Sequence, residues 1–145
     1  PYNTRRTMKK LEQGLYGNTK LAKARRLCCN YWGIDEKVVL TKTRDGKVMN
    51  AKHSIRYMLS LDDKLTLSDI GGLTNCDHSN VINSRKVFLY LSNHDVDYAG
   101  MNRLILVNDL SNKQDLLRKT ISDIILSETT PLNQVNQILD IVKAN

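Results

Sequence analysis

Apolar residues recur at intervals of three and four along most of this chain, and this spacing constrains the fold more than any other feature. The first segment with this spacing covers residues 19–32, and its apolar positions are Leu21, Ala24, Leu27, Cys28 and Tyr31. A period of 3.6 residues places such side chains on one face of an α-helix. The sequence therefore predicts an all-α protein, a compact helical domain with further helices near its C-terminus.

Capping signals divide the chain that follows into further helices. Asp35 predicts a short helix, and Asn50 precedes a second long helix over about 50–61. Thr66, followed by Asp69 three residues later, is an acidic variant of the capping box. This pair predicts a helix of about two turns before the chain reaches a short turn.

The second half of the chain continues the helical pattern. A longer helix is predicted to start at Asp77 and to run to about Leu91. The run Leu104–Val107 has the composition of a strand, but its neighbours have helical spacing, so a helix is predicted there. Two closing helices are predicted to begin at Ser111 and at Thr130-Pro131, where proline takes the first helical position.

Charge is distributed unevenly along the chain. Residues 1–60 contain 14 Lys and Arg against 4 Asp and Glu, a net of +10, while residues 61–145 contain 8 against 11, a net of −3. A basic half joined to a mildly acidic half is typical of a polyanion-binding surface on a more neutral scaffold. A ribosomal or membrane-surface protein can show the same asymmetry, so charge alone does not choose the partner.

The side chains that commonly bind metals are scattered in this sequence. They are Cys28, Cys29, Cys76, His53, His78 and His94. No Cys-x-x-Cys spacing occurs, so all three cysteines are predicted to be reduced thiols and no metal site is expected. No nucleophile–base pattern, paired carboxylates or cofactor loop is found, which predicts a protein that is not an enzyme, with no catalytic residues and no cofactor. No apolar run approaches the about 20 residues of a membrane span, and a soluble, cytoplasmic protein is expected.

Residues Leu65–Ser92 have the length of two helices joined by a turn of three or four residues. Such a unit lays its second helix in the major groove of DNA in helix-turn-helix proteins. Helical hairpins of this size also occur in proteins that never touch DNA. The identity of the residues must therefore decide between the two.

Four segments make this unit more specific than a bare helix-turn-helix. They read Ala51-Lys52-His53, Tyr57-Met58-Leu59, Leu65-Thr66-Leu67-Ser68-Asp69-Ile70-Gly71 and Asp77-His78-Ser79-Asn80-Val81. With these segments, residues 20–92 resemble the C-terminal DNA-binding domain of the bacterial replication initiator DnaA, a Trp-repressor-like helix-turn-helix. The resemblance implies this fold and a double-stranded DNA partner.

The same resemblance implies base-reading roles at the start of the helix that opens at Asp77. Asp77, His78 and Ser79 match the family's base-reading positions, and Asn80 replaces its usual Thr. Asp can accept from cytosine N4, His can donate to guanine or thymine acceptors, and Asn can bind adenine through two hydrogen bonds. A plain N-cap is the structural alternative for Asp77.

Cations ahead of that helix and along it are implied to contact the minor groove or the phosphates. The basic loop Thr41–Lys47 resembles the family's minor-groove loop, and Arg44 is favoured there because Arg prefers narrow grooves. The full implied set is Lys42, Arg44, Lys47, Lys52, Arg85 and Lys86. A solvated charged surface is the alternative for each of them.

The chain also departs from the family. Cys76 stands where the family usually has Arg, and the turn after Gly71 is one residue shorter. No Gly-x-x-x-x-Gly-Lys-[Ser/Thr] loop occurs, so nucleotide-driven origin melting is not expected.

The patterns and the resemblance together predict three parts: a basic N-terminal arm or loosely held helix over 1–18, the DnaA-like domain over 19–95 and a helical extension over 96–145. The apolar faces of the extension fit either packing against the domain or a homodimer. The expected function is double-stranded DNA binding by a replication accessory or transcriptional regulator, nucleoid-associated in a bacterial or phage-infected cell. The alternative is a structural or protein-interaction module that has kept initiator-like helices and lost base reading.

Overall fold

A computed structural model of the chain describes the backbone of residues 2–125 and the side chains of residues 11–123. This part is all-α, as the sequence predicts, and contains no strand. Its helices are α1 (Tyr2–Trp32), α2 (Gly46–Ser60), α3 (Leu67–Leu73), α4 (His78–Ser92) and α5 (Val96–Ile125). The helix predicted at Thr130-Pro131 lies outside the described residues.

Helix α1 begins much earlier than the sequence predicts. The expected start is near residue 19, but the helix already begins at Tyr2. Of the two predictions for residues 1–18, an arm or a loosely held helix, the structure has the helix, which is the first half of α1. The Tyr16 hydroxyl donates to the carboxylate of Asp62, and Gln13 Nε2 donates to the carbonyl of Lys64 at 2.9 Å. Burial, together with the bond to Asp62, raises the pKa of Tyr16 to about 12. These contacts tie the middle of α1 to the loop between α2 and α3.

Helix α2 also starts earlier than expected, because its N-cap is Asp45 and not Asn50. The Asp45 carboxylate accepts from the backbone N–H of Lys47 at 3.0 Å. Asn50 instead lies within the helix, where its side-chain oxygen accepts from the hydroxyl of Tyr98 at 2.6 Å. The short helix predicted after Asp35 is no more than a run of turns in the structure.

The core forms around α2, which packs against α1, α3 and α4. Tyr57 of α2 stacks on Phe88 of α4 with ring centroids 4.2 Å apart, and Tyr98 meets Phe88 edge-on at 5.5 Å. The largest side chains among the fully buried ones are Phe88, Ile55, Ile70 and Met101. Aromatic burial of this size dominates the stability of a small core.

The chain divides into two compact units, residues 1–102 and 103–145. The first contains α1 to α4 and the start of α5. The second contains the rest of α5, which is one continuous helix where the sequence predicts separate helices around 104–107 and after Ser111. Apolar side chains of α5 that are exposed in this unit are Leu104, Leu106, Val107, Leu110, Leu116 and Leu117. None of the helices in the described range is long and apolar enough to cross a bilayer.

Candidate nucleic-acid interface

The entry into α3 has the capping box that the sequence predicts. The Thr66 hydroxyl accepts from the Asp69 backbone N–H at 3.1 Å, and the Asp69 carboxylate accepts from the Thr66 backbone N–H at 2.9 Å. Two backbone donors that the helix itself leaves unpaired are thus satisfied reciprocally.

A tight turn joins α3 to α4 and depends on a close backbone approach at Gly71. The Cys76 backbone N–H donates to the Gly71 carbonyl at 2.8 Å, and Asn75 adopts a left-handed conformation at φ 57°. A Cβ on residue 71 would lie 2.6 Å from the Cys76 carbonyl oxygen. Only glycine fits this position, while Asn is one of the few other residues that tolerate a positive φ.

The four predicted base-reading residues stand at the start of α4 and are all exposed: Asp77, His78, Ser79 and Asn80. Asp77 occupies the N-cap position with extended backbone, yet its side chain makes no capping hydrogen bond. Its carboxylate therefore stays available to an external donor. The inward side of α4 is formed by Val81, Ser84 and Phe88, which are buried.

Farther along α4, the exposed positions include Asn83, which is not among the predicted base-reading residues. Asn83 is exposed and follows Ser79 by one helical turn, with Lys86 three residues beyond it. Arg85 is exposed as well, and its charge opposes the rise that burial causes in the pKa of Tyr57. The i, i+4 spacing from Ser79 is the signal that could have identified Asn83.

The basic loop is shorter than the predicted Thr41–Lys47, because α2 already begins at Gly46. Its residues 41–45 precede α2, and Lys52 contacts their backbone. Lys42 and Arg44 are exposed in this loop, and Lys47 is exposed in the first turn of α2. Lys52 is only 6% exposed, and its ammonium donates to the carbonyls of Thr41 and Thr43. Burial lowers the pKa of Lys52. The predicted phosphate ligand Lys52 is therefore a buried residue whose described contacts position the loop.

An open groove of about 840 Å³ is lined by the basic loop, by the turn between α3 and α4 and by the start of α4. Among the predicted residues, its walls include Lys42, Arg44, Lys52, Asp77 and Asn80. The other predicted residues are outside the groove lining: Lys47, His78, Ser79, Arg85 and Lys86. The structure thus brings the basic loop and the amino end of α4 to one concave surface.

Arg56 lines the same groove and was not identified from the sequence. It is 7% exposed, and its Nη1 donates to the Ser84 hydroxyl at 3.0 Å. His53 Nδ1 lies 2.9 Å from the same hydroxyl oxygen. Burial lowers the pKa of His53 to about 4, and the charges of Arg56 and Lys52 act in the same direction. Sequence spacing places Lys52, His53 and Arg56 off the apolar face of α2, but all three are at least half-buried.

No cluster of three or more potential metal ligands occurs among the described residues. Cys28, Cys29 and Cys76 are free thiols. Cys76 lies in the turn before α4 with its sulfur 3.3 Å from the Thr74 hydroxyl oxygen.

Comparisons with protein-family models, with curated proteins and with solved structures give no match to this chain. A function for this chain is therefore inferred from the helices of residues 2–125 and from the groove lined by the basic loop and the start of α4.

Proposed function

We propose that this protein binds double-stranded DNA, with the start of α4 in the major groove and the basic loop against the sugar-phosphate backbone or the minor groove. One observation carries the proposal: a single groove is lined both by the cations Lys42 and Arg44 of the basic loop and by Asp77 and Asn80 at the start of α4. Phosphate contacts supply most of the affinity of such proteins, and side chains at base edges supply the specificity.

The side chains at the start of α4 suit base reading because little else engages them. Asp77 does not cap the helix with its side chain, and His78, Ser79 and Asn80 are exposed. Their donors and acceptors match those displayed by base pairs in the major groove. The proposal includes a role in replication or in transcriptional regulation, which the resemblance to the DnaA domain supports, in a protein encoded by a phage or a mobile element.

The basic loop suits a duplex because it is already ordered. Two carbonyls of the loop accept hydrogen bonds from Lys52, and the loop ends at the N-cap Asp45. Arg44 and Lys42 are thus presented from a fixed backbone, which lowers the entropy lost when they bind phosphates.

Retardation of a mixed-sequence duplex on a gel at two salt concentrations tests the proposal. Several phosphate contacts reduce affinity by orders of magnitude between about 50 and 200 mM salt. Lys42→Ala combined with Arg44→Ala weakens binding at low salt. Arg118→Ala combined with Lys119→Ala removes the same charge from exposed positions of α5 and serves as the control. Equal weakening by both double variants would show that net charge, and not the groove, drives binding.

Base reading needs a separate test, because phosphate contacts carry no sequence information. Duplexes selected from a random pool are compared with scrambled duplexes for the wild type and for His78→Ala. The substitution reduces the preference for the selected sequence, while His94→Ala at an exposed position elsewhere leaves it unchanged. Equal weakening of both duplexes by His78→Ala would remove the base-reading role.

A structural or protein-interaction module is the competing function, and it predicts no retardation at either salt concentration. A homodimer through the C-terminal helices remains a prediction, motivated by the exposed apolar side chains of α5. Sedimentation equilibrium with and without duplex measures it directly, and a monomer in both states would exclude it.

A further inference from the structure

Arg56 is a buried cation to which no carboxylate of the described side chains lies close enough for an ion pair. Its side chain is 7% exposed, and Ser84 is a neutral partner for its Nη1. Its Nε is buried and has no hydrogen-bond partner among residues 11–123. Buried charges in proteins are normally paired or bound to an ion, because desolvation of an uncompensated charge is costly. The described residues therefore provide no charged partner for Arg56.

Other cations near Arg56 increase the excess of positive charge. Lys52, one turn earlier on α2, is a second buried cation, and its described partners are neutral carbonyls. No carboxylate among the described side chains lies within 4 Å of either cation. Lys42 and Arg44 line the same groove. The groove lining thus has four cations and one carboxylate, that of Asp77.

We propose that this groove binds a phosphate group through Arg56, with Lys42 and Arg44 contributing from the basic loop. The inference rests on the proposed function in one respect: in a duplex complex, the phosphate is one of the backbone phosphodiesters. Free inorganic phosphate presents the same oxygens and is the second possible source. A planar guanidinium suits this ligand because its N–H groups match phosphate oxygens in pairs.

The hydrogen bonds behind Arg56 hold its guanidinium in place. Ser84 accepts from Nη1, and the Ser84 hydroxyl can donate in turn to Nδ1 of a neutral His53. The lowered pKa of His53 agrees with a neutral ring at physiological pH. Ser84 and His53 are therefore positioning residues, and the nitrogens of Arg56 that they do not occupy are the ones left for phosphate.

The first experiment uses the unmodified full chain. The Nε–Hε resonance of Arg56, assigned by its absence from the spectrum of Arg56→Lys, is followed by NMR during titration with inorganic phosphate. Chloride at equal ionic strength is the control. A saturable shift of this resonance is expected with phosphate and not with chloride. No shift with phosphate and none with duplex would overturn the proposal.

The second experiment measures the salt dependence of duplex binding by Arg56→Met, which keeps much of the side-chain volume and removes the charge. Loss of one phosphate contact lowers the slope of log affinity against log salt by about 0.9. The wild-type advantage over the variant is then about threefold larger at about 50 mM than at about 200 mM salt. Arg56→Lys restores part of the slope, and Arg118→Met on α5 leaves it unchanged.

The two experiments separate failure of this site from failure of the proposed function. If duplex is retarded but Arg56→Met has the wild-type slope and the Nε–Hε resonance does not move, DNA binding stands and the Arg56 site is wrong. If phosphate shifts the resonance but no duplex is retarded, the Arg56 site stands as a free-phosphate site and DNA binding is wrong. If Arg56→Met does not fold, the wild-type titration still decides.

Discussion

Substitution of Gly71 by alanine tests the close approach that joins α3 to α4. A Cβ at this position would lie 2.6 Å from the Cys76 carbonyl oxygen and 3.3 Å from the Asp77 carbonyl carbon. Both atoms belong to the backbone, so neither can rotate away as a side chain can. The α4 start must shift if alanine is to fit.

The neighbouring glycine gives a matched control for the size of the effect. Gly72 lies in the same helix, and a Cβ there meets nothing within 4 Å. Alanine is favoured over glycine within a helix by up to about 1 kcal/mol, and this gain applies to both positions. Overpacking costs about 1–3 kcal/mol and applies to residue 71 alone. Gly72→Ala is therefore neutral or stabilising, and Gly71→Ala is less stable than Gly72→Ala by about 1–3 kcal/mol.

Urea unfolding monitored by circular dichroism at 222 nm measures this difference as a change in midpoint at constant slope. Duplex affinity measured on the same two variants adds a functional readout, because a displaced start of α4 moves Asp77 and Asn80 relative to the basic loop. Equal stability of the two variants would refute the reasoning, since it would mean that the turn yields to a Cβ without cost.

Three further predictions concern contacts elsewhere in the first unit. The folded pKa of His53, about 4, lies below its ordinary value of 6.5, so wild-type stability decreases as pH falls from about 6.5 to about 4; His53→Gln flattens this loss in pH-dependent urea unfolding, and His94→Gln does not. Tyr16→Phe removes the hydrogen bond to Asp62 and lowers the free energy of unfolding by about 1 kcal/mol, whereas an unchanged urea midpoint would mean that this contact does not stabilise the fold. Lys52→Met frees two loop carbonyls and accelerates amide exchange in the basic loop but not in α3; uniform acceleration in both would point to global destabilisation instead.

Capping residues close to a helix in sequence predicted the starts of α3 and α4 correctly. The capping box of Thr66 and Asp69 is present in the structure, and α4 begins where Asp77 predicts it. The capping box is reliable because its two hydrogen bonds join residues only three positions apart. At Asp77 the position of the N-cap was predicted correctly, although its side chain makes no capping hydrogen bond. The predicted start of α2 was wrong because Asp45 and Asn50 are both good N-cap residues, and the local sequence does not choose between them.

Contacts between distant segments explain the features that the sequence did not reveal. Gly17 suggests a helix break, yet it lies inside α1, where a Cβ would come within 3.1 Å of the Leu73 side chain. In this case glycine allows two helices to approach each other closely. Lys52 and Arg56 look like solvent-facing cations because their partners, two loop carbonyls and Ser84, lie 9 to 28 residues away. The basic loop and the start of α4 were predicted as separate parts of the candidate site. Arg56, a buried cation that lines the same groove, was not predicted.

The unequal burial of the three cysteines has a practical consequence. Cys28 and Cys29 are buried, and burial raises the pKa of both thiols, that of Cys29 to about 11. Cys76 is half-buried and lines the groove. Since alkylating reagents attack accessible thiolates, they modify Cys76 first in the folded chain. The rate at which Cys76 is alkylated is therefore expected to fall when a molecule occupies the groove. This rate reports binding in the native protein without an engineered label.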